Sequence, residues 1–272
     1  MKLNQIYNQN SINMKEVEDN SIDLILTSPP YEQKRTYSDD PEDIGNYNGE
    51  EFVDKLKPIM KECLRILKPT GNLFLNFSAQ IVDGESSLTE HYIPIAMKGL
   101  GYYYIQPHYW WKSNTQPDNY KGRLKNVLEI IWHFAKDKEK YIVYKDAIRV
   151  PSIWDGHDKR AFKYNPLGAD PGNIVWDMED LINTFKSQDD NLLVTRKTQD
   201  QKEVHPAKMY EKVAQRFILY GSKEKDIVLD PFCGSGTTLR MAKDLGRSYI
   251  GYDIKKDYCK LSERILAQEN LF

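Results

Sequence analysis

No apolar run in this 272-residue sequence approaches the roughly 20 residues that a membrane-spanning helix needs. The polar start MKLNQIYNQN has neither the basic nor the apolar segment of a secretion signal. Both absences lead to the expectation of a cytoplasmic protein with no membrane partner. Cysteine is scarce. Cys63, Cys233 and Cys259 are far apart and show no Cys-x-x-Cys spacing, which argues against a disulfide framework and against structural zinc. His91, His108, His133, His157 and His205 show no helical i, i+4 pairing beside an acid, so no metal site is expected and the chemistry calls for an organic cofactor. A dominant charge sign is missing too. With 38 Lys and Arg against 40 Asp and Glu, charge alone does not establish a nucleic-acid binder. There is no internal repeat and no low-complexity tract.

What is there is a recurrence of strand signals at wide spacing with helical patterns between them, which suggests parallel β/α units. Residues 23–28 (DLILTS) read as a buried strand. Phe52, Leu56, Ile59, Cys63, Ile66 and Leu67 then repeat at helical spacing, and the helix is expected to stop before Pro69 and Gly71. GNLFLNF follows as a strand. YYYIQPHYWW and NVLEIIWHFAK read as an antiparallel pair closing one sheet edge. From about Lys145 to Val204 the periodicity fails and Pro, Gly, Asp, Asn and Trp become frequent, which reads as an inserted lobe. The division is residues 1–144, the lobe at 145–204, and residues 205–272 rejoining the core. Signs are uneven: residues 110–165 hold twelve Lys or Arg against seven Asp or Glu, whereas SDDPEDIGNYNGEE, residues 38–51, is acidic.

Two short stretches carry the chemistry. IDLILTSPPYEQKR ends a buried strand on Ser28-Pro29-Pro30-Tyr31. Two consecutive prolines make a stiff corner that accepts hydrogen bonds through its carbonyls and donates none from its proline nitrogens. The second stretch, DIVLDPFCGSGTTLRMAKDLGRSYIGYDIKKDY, runs strand, glycine turn, helix, strand and terminal acid, the order of a nucleotide-binding crossover. Gly234 and Gly236 are expected to let the backbone approach a ligand. Asp253, nineteen residues beyond Gly234, is placed to accept from ribose hydroxyls. Asp230 precedes the glycines, where a carboxylate suits a cationic ligand better than a pyrophosphate.

DPFCGSGTT resembles the S-adenosylmethionine-binding motif of amino-methylating DNA methyltransferases, and TSPPY resembles their catalytic motif. The catalytic motif comes first, which is the circularly permuted order of the β group. IYNQNS, LKPTGNLFLNF, NPLGADPGNIVWDM and HPAKMYEKVAQRFILYG extend the likeness over nearly the whole chain. The resemblance implies a doubly wound, mostly parallel, seven-stranded Rossmann-like sheet with an inserted target-recognition lobe. It implies S-adenosylmethionine as cofactor and double-stranded DNA as partner, and it leaves room for a cognate restriction endonuclease and for a monomer or homodimer. Catalytic roles fall on Ser28, Pro29, Pro30 and Tyr31, with Tyr31 stacking on a base turned out of the duplex. Cofactor contacts fall on Asn10, His205, Pro206, Asp230, Phe232, Gly234, Ser235, Gly236, Thr237, Thr238 and Asp253. Asn10 stands where family members commonly carry an acid. In the lobe, Trp154, Lys159, Arg160 and Lys163 match the target-recognition region by position only.

Serine at the first catalytic position is associated in this family with cytosine N4, and aspartate or asparagine with adenine N6. Cytosine N4 is therefore expected, with adenine N6 as the alternative on the same scaffold and a non-catalytic DNA-binding or cofactor-sensing module as the alternative from another class. The missing Pro-Cys pair argues against methylation at cytosine carbon 5, which needs a thiolate. The loop from Glu32 to Gly49 is expected to have little to bury and to order over the flipped base.

Overall fold

The computed structural model describes residues 1–32, 42–78, 80–82, 84–112, 122–124, 126–150, 165, 167–176 and 209–268. Strands β1 (Gln5–Asn8), β2 (Ile22–Thr27), β3 (Leu67–Phe77), β6 (Tyr103–Trp111), β7 (Leu128–Ala135), β8 (Ile174–Trp176), β9 (Ile227–Asp230) and β10 (Ser248–Asp253) form one sheet, and β4 (Ile81–Val82) with β5 (Glu85–Ser86) forms a separate small ribbon. The order is β1-β10-β9-β2-β3-β7-β6-β8. Strands β1, β10, β9, β2 and β3 are mutually parallel, and β7 is antiparallel to both β3 and β6. Strand order reverses between β2 and β9, which pair through Leu24 with Val228 and Ile25 with Leu229. Crevices for ligands open at such a reversal, beyond the carboxyl ends of the strands.

The sheet has eight strands where seven were expected. The additional one, β8, comes from inside the expected lobe and pairs parallel with β6 through Tyr109, Trp110 and Trp111. Three residues set among Gly, Pro and Asp leave no alternation to read, yet Val175 is buried in the core. Pro107 lies within β6 but below the reach of β8, and its carbonyl faces outward to accept from Asn173 Nδ2 at 3.1 Å. Its missing N–H therefore costs the ladder nothing.

Helices α1 (Gly49–Ile66) and α2 (Thr89–Gly99) cover one face of the sheet, with Phe52, Leu56, Ile59, Met60, Cys63, Ile93 and Met97 packed on Leu73, Leu75, Phe77, Trp132 and Phe134. Helix α3 (Glu211–Gly221) covers the other face, where Val213, Phe217 and Ile218 meet Leu24, Leu26, Phe74 and Ile131. Alternation along β3 explains the division, since odd positions point to the first cluster and Phe74 to the second. Ile22 packs in the first cluster and Leu24 in the second because the register of β2 on β3 shifts between them. Helices α4 (Thr237–Asp244) and α5 (Lys256–Ala267) flank β9, β10 and β1. Helix α1 stops before Pro69 as expected and passes into β3 at Leu67 without a loop. Among the described residues no helix is long and apolar enough to cross a membrane.

Candidate active site

An open cleft lies at the carboxyl ends of β1, β2, β9 and β10. Gln9, Asn10 and Ser11 contribute from β1, Ser28 to Tyr31 from β2, Pro231, Phe232 and Gly234 from β9, and Asp253 to Lys255 from β10. The two informative stretches, about 200 residues apart in sequence, thus share one wall-to-wall space. Thr27 joins them directly, its hydroxyl donating to Asp230 Oδ1 at 2.7 Å across the β2–β9 pair.

Asp230 itself does not line the cleft. It is buried beneath the turn, accepting from Phe232 N at 3.0 Å, and burial pushes its carboxyl up to about 6 although bonds from Thr27, Phe232 and Thr238 pull the other way. Asp253 does line it. Its Oδ2 accepts from Gly234 N at 2.9 Å and its Oδ1 from Lys255 N at 2.8 Å, so both carboxylate oxygens are oriented by backbone donors. Burial raises its pKa against those bonds.

The two motif glycines serve different ends. Gly234, at φ +50°, lines the cleft and accepts from Ser262 Oγ at 2.7 Å through its carbonyl. Gly236, at φ +84°, would place a Cβ 2.7 Å from Ser262 Oγ. Its close approach is to helix α5 rather than to the cleft, which corrects the expectation from the motif. Ser235, Thr237 and Thr238 are buried in and behind the turn and do not line the cleft. Cys233 is buried there too, and burial raises its thiol, with Asp253 and Asp230 adding to the effect.

Asn10 lines the cleft, donating to Glu42 Oε2 at 2.9 Å and accepting from Ile12 N at 3.0 Å. Glu42, Asp43 and Ile44 form the facing wall, and Asp43 lies 3.4 Å from Lys255 Nζ. Asp43, Ile44 and Gly45 are buried, so the loop expected to have little to bury does anchor itself at this end. Residues 33–41 of that loop lie outside the described residues, as do His205, Pro206, Trp154, Lys159, Arg160 and Lys163.

The Ser28-Pro29-Pro30-Tyr31 corner is gripped from behind. Tyr31 is 5% exposed, its ring edge-on to Phe77 at 5.4 Å between centroids. Its hydroxyl donates to Glu129 Oε2 at 2.8 Å and accepts from Asn76 Nδ2 at 3.1 Å. Asn76 also donates to Glu129 Oε2 at 2.9 Å and reaches Ser28 Oγ at 3.5 Å. Glu129, 3% exposed, forms an ion pair with Lys112, whose ammonium lies 4.5 Å over the Trp110 ring.

Glu32 is fully buried. It accepts from Gly49 N at 2.6 Å, Ser87 Oγ at 2.6 Å and Thr89 Oγ1, which sets its charge at the N-termini of α1 and α2. Ser11 Oγ donates to Pro231 O at 3.0 Å and holds β1 to the β9 turn. Sequence reasoning missed Glu32, Asn76, Lys112 and Glu129. A charged residue inside an apolar strand, as in LEIIWHFA, was the one signal available for Glu129.

The sequence model of a family described as DNA methylase, covering both N6 and N4 enzymes, matches residues 22–264. The Type II methyltransferase M.BglII of Bacillus subtilis is 32% identical over 278 residues, covering 98% of this chain and 70% of that protein. The solved structure of the PvuII DNA methyltransferase, described as cytosine-N4-specific, superposes with a TM-score of 0.72 at 21% identity, covering 98% of this chain and 87% of that one. A Thermus thermophilus protein solved in complex with S-adenosyl-L-methionine gives 0.64 at 22% identity, covering 98% of this chain and 95% of that one.

Proposed function

The chain belongs to the DNA methylase family, and on that premise we propose that it transfers the methyl group of S-adenosylmethionine to the exocyclic amine of a base turned out of double-stranded DNA, cytosine N4 ahead of adenine N6. The observation that carries this reading is the meeting of the Ser28-Pro29-Pro30-Tyr31 corner with Gly234 and Asp253 on one cleft. Its motif order is that of the permuted β group, with residues 1–144 and 205–272 forming the core and the segment 145–204 carrying the target-recognition lobe while lending β8 to the core sheet.

The cleft fits the cofactor. Both oxygens of Asp253 are already oriented by backbone donors, which presents its remaining lone pairs to ribose hydroxyls. Phe232, Ile44, Ile59 and Ile254 supply apolar walls for a purine ring. When bound, the cofactor supplies an electrophilic methyl on a sulfonium. His205 and Pro206 belong to its methionine end in this reading, and Trp154, Lys159, Arg160 and Lys163 to DNA.

An exocyclic amine is a poor nucleophile because its lone pair is delocalised into the ring. Ser28 Oγ and a carbonyl of the proline corner each accept one N–H, which favours a pyramidal nitrogen with its lone pair free for in-line attack. Catalysis is then positioning and electrostatics at a stiff corner, with no covalent enzyme intermediate. Serine at position 28 and the cytosine-N4 specificity of the PvuII enzyme favour cytosine N4; the family also covers adenine N6. The test is incubation with labelled S-adenosylmethionine and DNA, digestion to nucleosides and mass spectrometry. N4-methylcytosine is expected, N6-methyladenine alone overturns the base assignment, and no incorporation overturns the activity.

A further inference from the structure

Pro29 and Pro30 have no N–H, so the position of the corner is set by what holds the residues beside them. Glu129 reaches that corner from β7, two strands away from β2 in the sheet. One of its oxygens takes Lys112, and the other takes both the Tyr31 hydroxyl and the Asn76 amide. Asn76 closes the ring by bonding the same hydroxyl and reaching Ser28 Oγ. A carboxylate at 3% exposure is an expensive way to stabilise a fold, because an apolar residue of similar volume serves as well or better. What the carboxylate adds is direction, through three donors with fixed geometry converging on one group.

Resting on the methyl-transfer reading above, we propose that Glu129 is a positioning residue for the reaction. It acts through Tyr31 and Asn76 and fixes the Ser28-Pro29-Pro30-Tyr31 corner at the distance from the cofactor cleft that transfer requires. Lys112 completes the device. It neutralises Glu129 while Trp110 holds the ammonium in place, so the carboxylate can accept from neutral donors without turning toward solvent. Glutamine at position 129 keeps the shape but has one acceptor oxygen. If that oxygen serves Lys112, its NH₂ confronts the Asn76 NH₂; if it serves Tyr31, Lys112 loses its partner.

The experiment compares wild type with Glu129→Gln, Tyr31→Phe and the double variant, using labelled S-adenosylmethionine and duplex DNA for kcat and calorimetry for cofactor Kd. Each single variant is expected to lower kcat by about 10- to 100-fold, the scale of a lost charge-assisted hydrogen bond, with cofactor Kd unchanged within about twofold. Because both substitutions cut the same link, the double variant falls no further than the worse single one. Multiplicative losses, or a Glu129→Gln kcat within about twofold of wild type, overturn the proposal. A second readout needs no activity. Amide hydrogen exchange of the peptide containing Tyr31 and Glu32 is expected to quicken by about tenfold or more in Glu129→Gln while the rest of the sheet stays protected. Unchanged exchange overturns the hold of Glu129 on the corner even if wild type methylates nothing. A wild type that incorporates no methyl group overturns the functional reading instead.

Discussion

The two halves of the sheet bury polarity in opposite ways. In the parallel half, β1, β10, β9 and β2, the informative polar groups sit at the strand ends, where Asp253 accepts from two backbone N–H groups and Asp230 from Phe232 N beside the Thr27 hydroxyl. Where the sheet turns antiparallel, around β7, the strands β3, β7 and β6 carry Asn72, Asn76, His108, Glu129 and His133 inside them, bonded mainly to other side chains. Asn76 Oδ1, His108 Nδ1, Trp110 Nε1 and His133 Nδ1 have no hydrogen-bond partner among the described residues. A site made by backbone geometry tolerates changes in neighbouring side chains. One made by a side-chain network is broken by a single substitution.

Acid separates the halves most strongly. Burial pushes His108 down to about 4, helped by Arg216, and His133 down to about 3, helped by His108. For a base whose folded pKa lies below its unfolded value, the unfolded chain takes the proton first, so stability is held above the unfolded pKa and lost as pH falls. Acidification from pH 7 to pH 4.5 should remove on the order of 5 kcal/mol through this pair. Urea titrations at the two pH values check it, the loss being largely absent from a His108→Asn/His133→Asn variant.

Asp230 should move the other way. Its folded pKa lies above the unfolded one, so the native state takes the proton first and stability contributed by this group rises as pH falls from about 7 to 4, by about 2 kcal/mol. The same titrations on Asp230→Asn should lack this gain; an identical pH slope would erase the contrast between the halves.

Asp253→Ala tests the backbone-built site as a ligand site. Losing its charged acceptor should weaken S-adenosylmethionine by about 1.5 to 3 kcal/mol, read by calorimetry on a protein whose circular dichroism is unchanged. The smallest effect is expected at the seam. Thr27→Val removes the hydroxyl on Asp230 and should cost about 1 kcal/mol in chemical denaturation while raising the Asp230 pKa further.

Legibility follows the same division. Strand, turn, helix and terminal acid in the parallel half are local in sequence, so the glycine turn and Asp253 can be read directly from the order of residues. Glu129 and Asn76 gain their meaning only from cross-strand register, in which β3 and β7 pair Asn76 with Ile131 and bring Glu129 beside Tyr31. Nothing local encodes that meeting. Gly236 shows the limit of motif reading even where it succeeds, because its freedom is demanded by Ser262 of a helix 26 residues further on. Strand β8 escaped because three residues cannot display a period.

Glu32 bears on how the protein assembles. Its carboxylate is satisfied only when Gly49, Ser87 and Thr89 have all arrived, residues 17 to 57 positions downstream. Until then a charge with no solvent and no donors would be intolerable at that place, so the chain leaving Tyr31 stays out in water. In the folded chain one carboxylate thus ties the segment beyond Tyr31 to the first residues of both α1 and α2. Neither helix can leave the sheet without stranding that carboxylate, so the geometry of the cleft and the docking of the helices are set together.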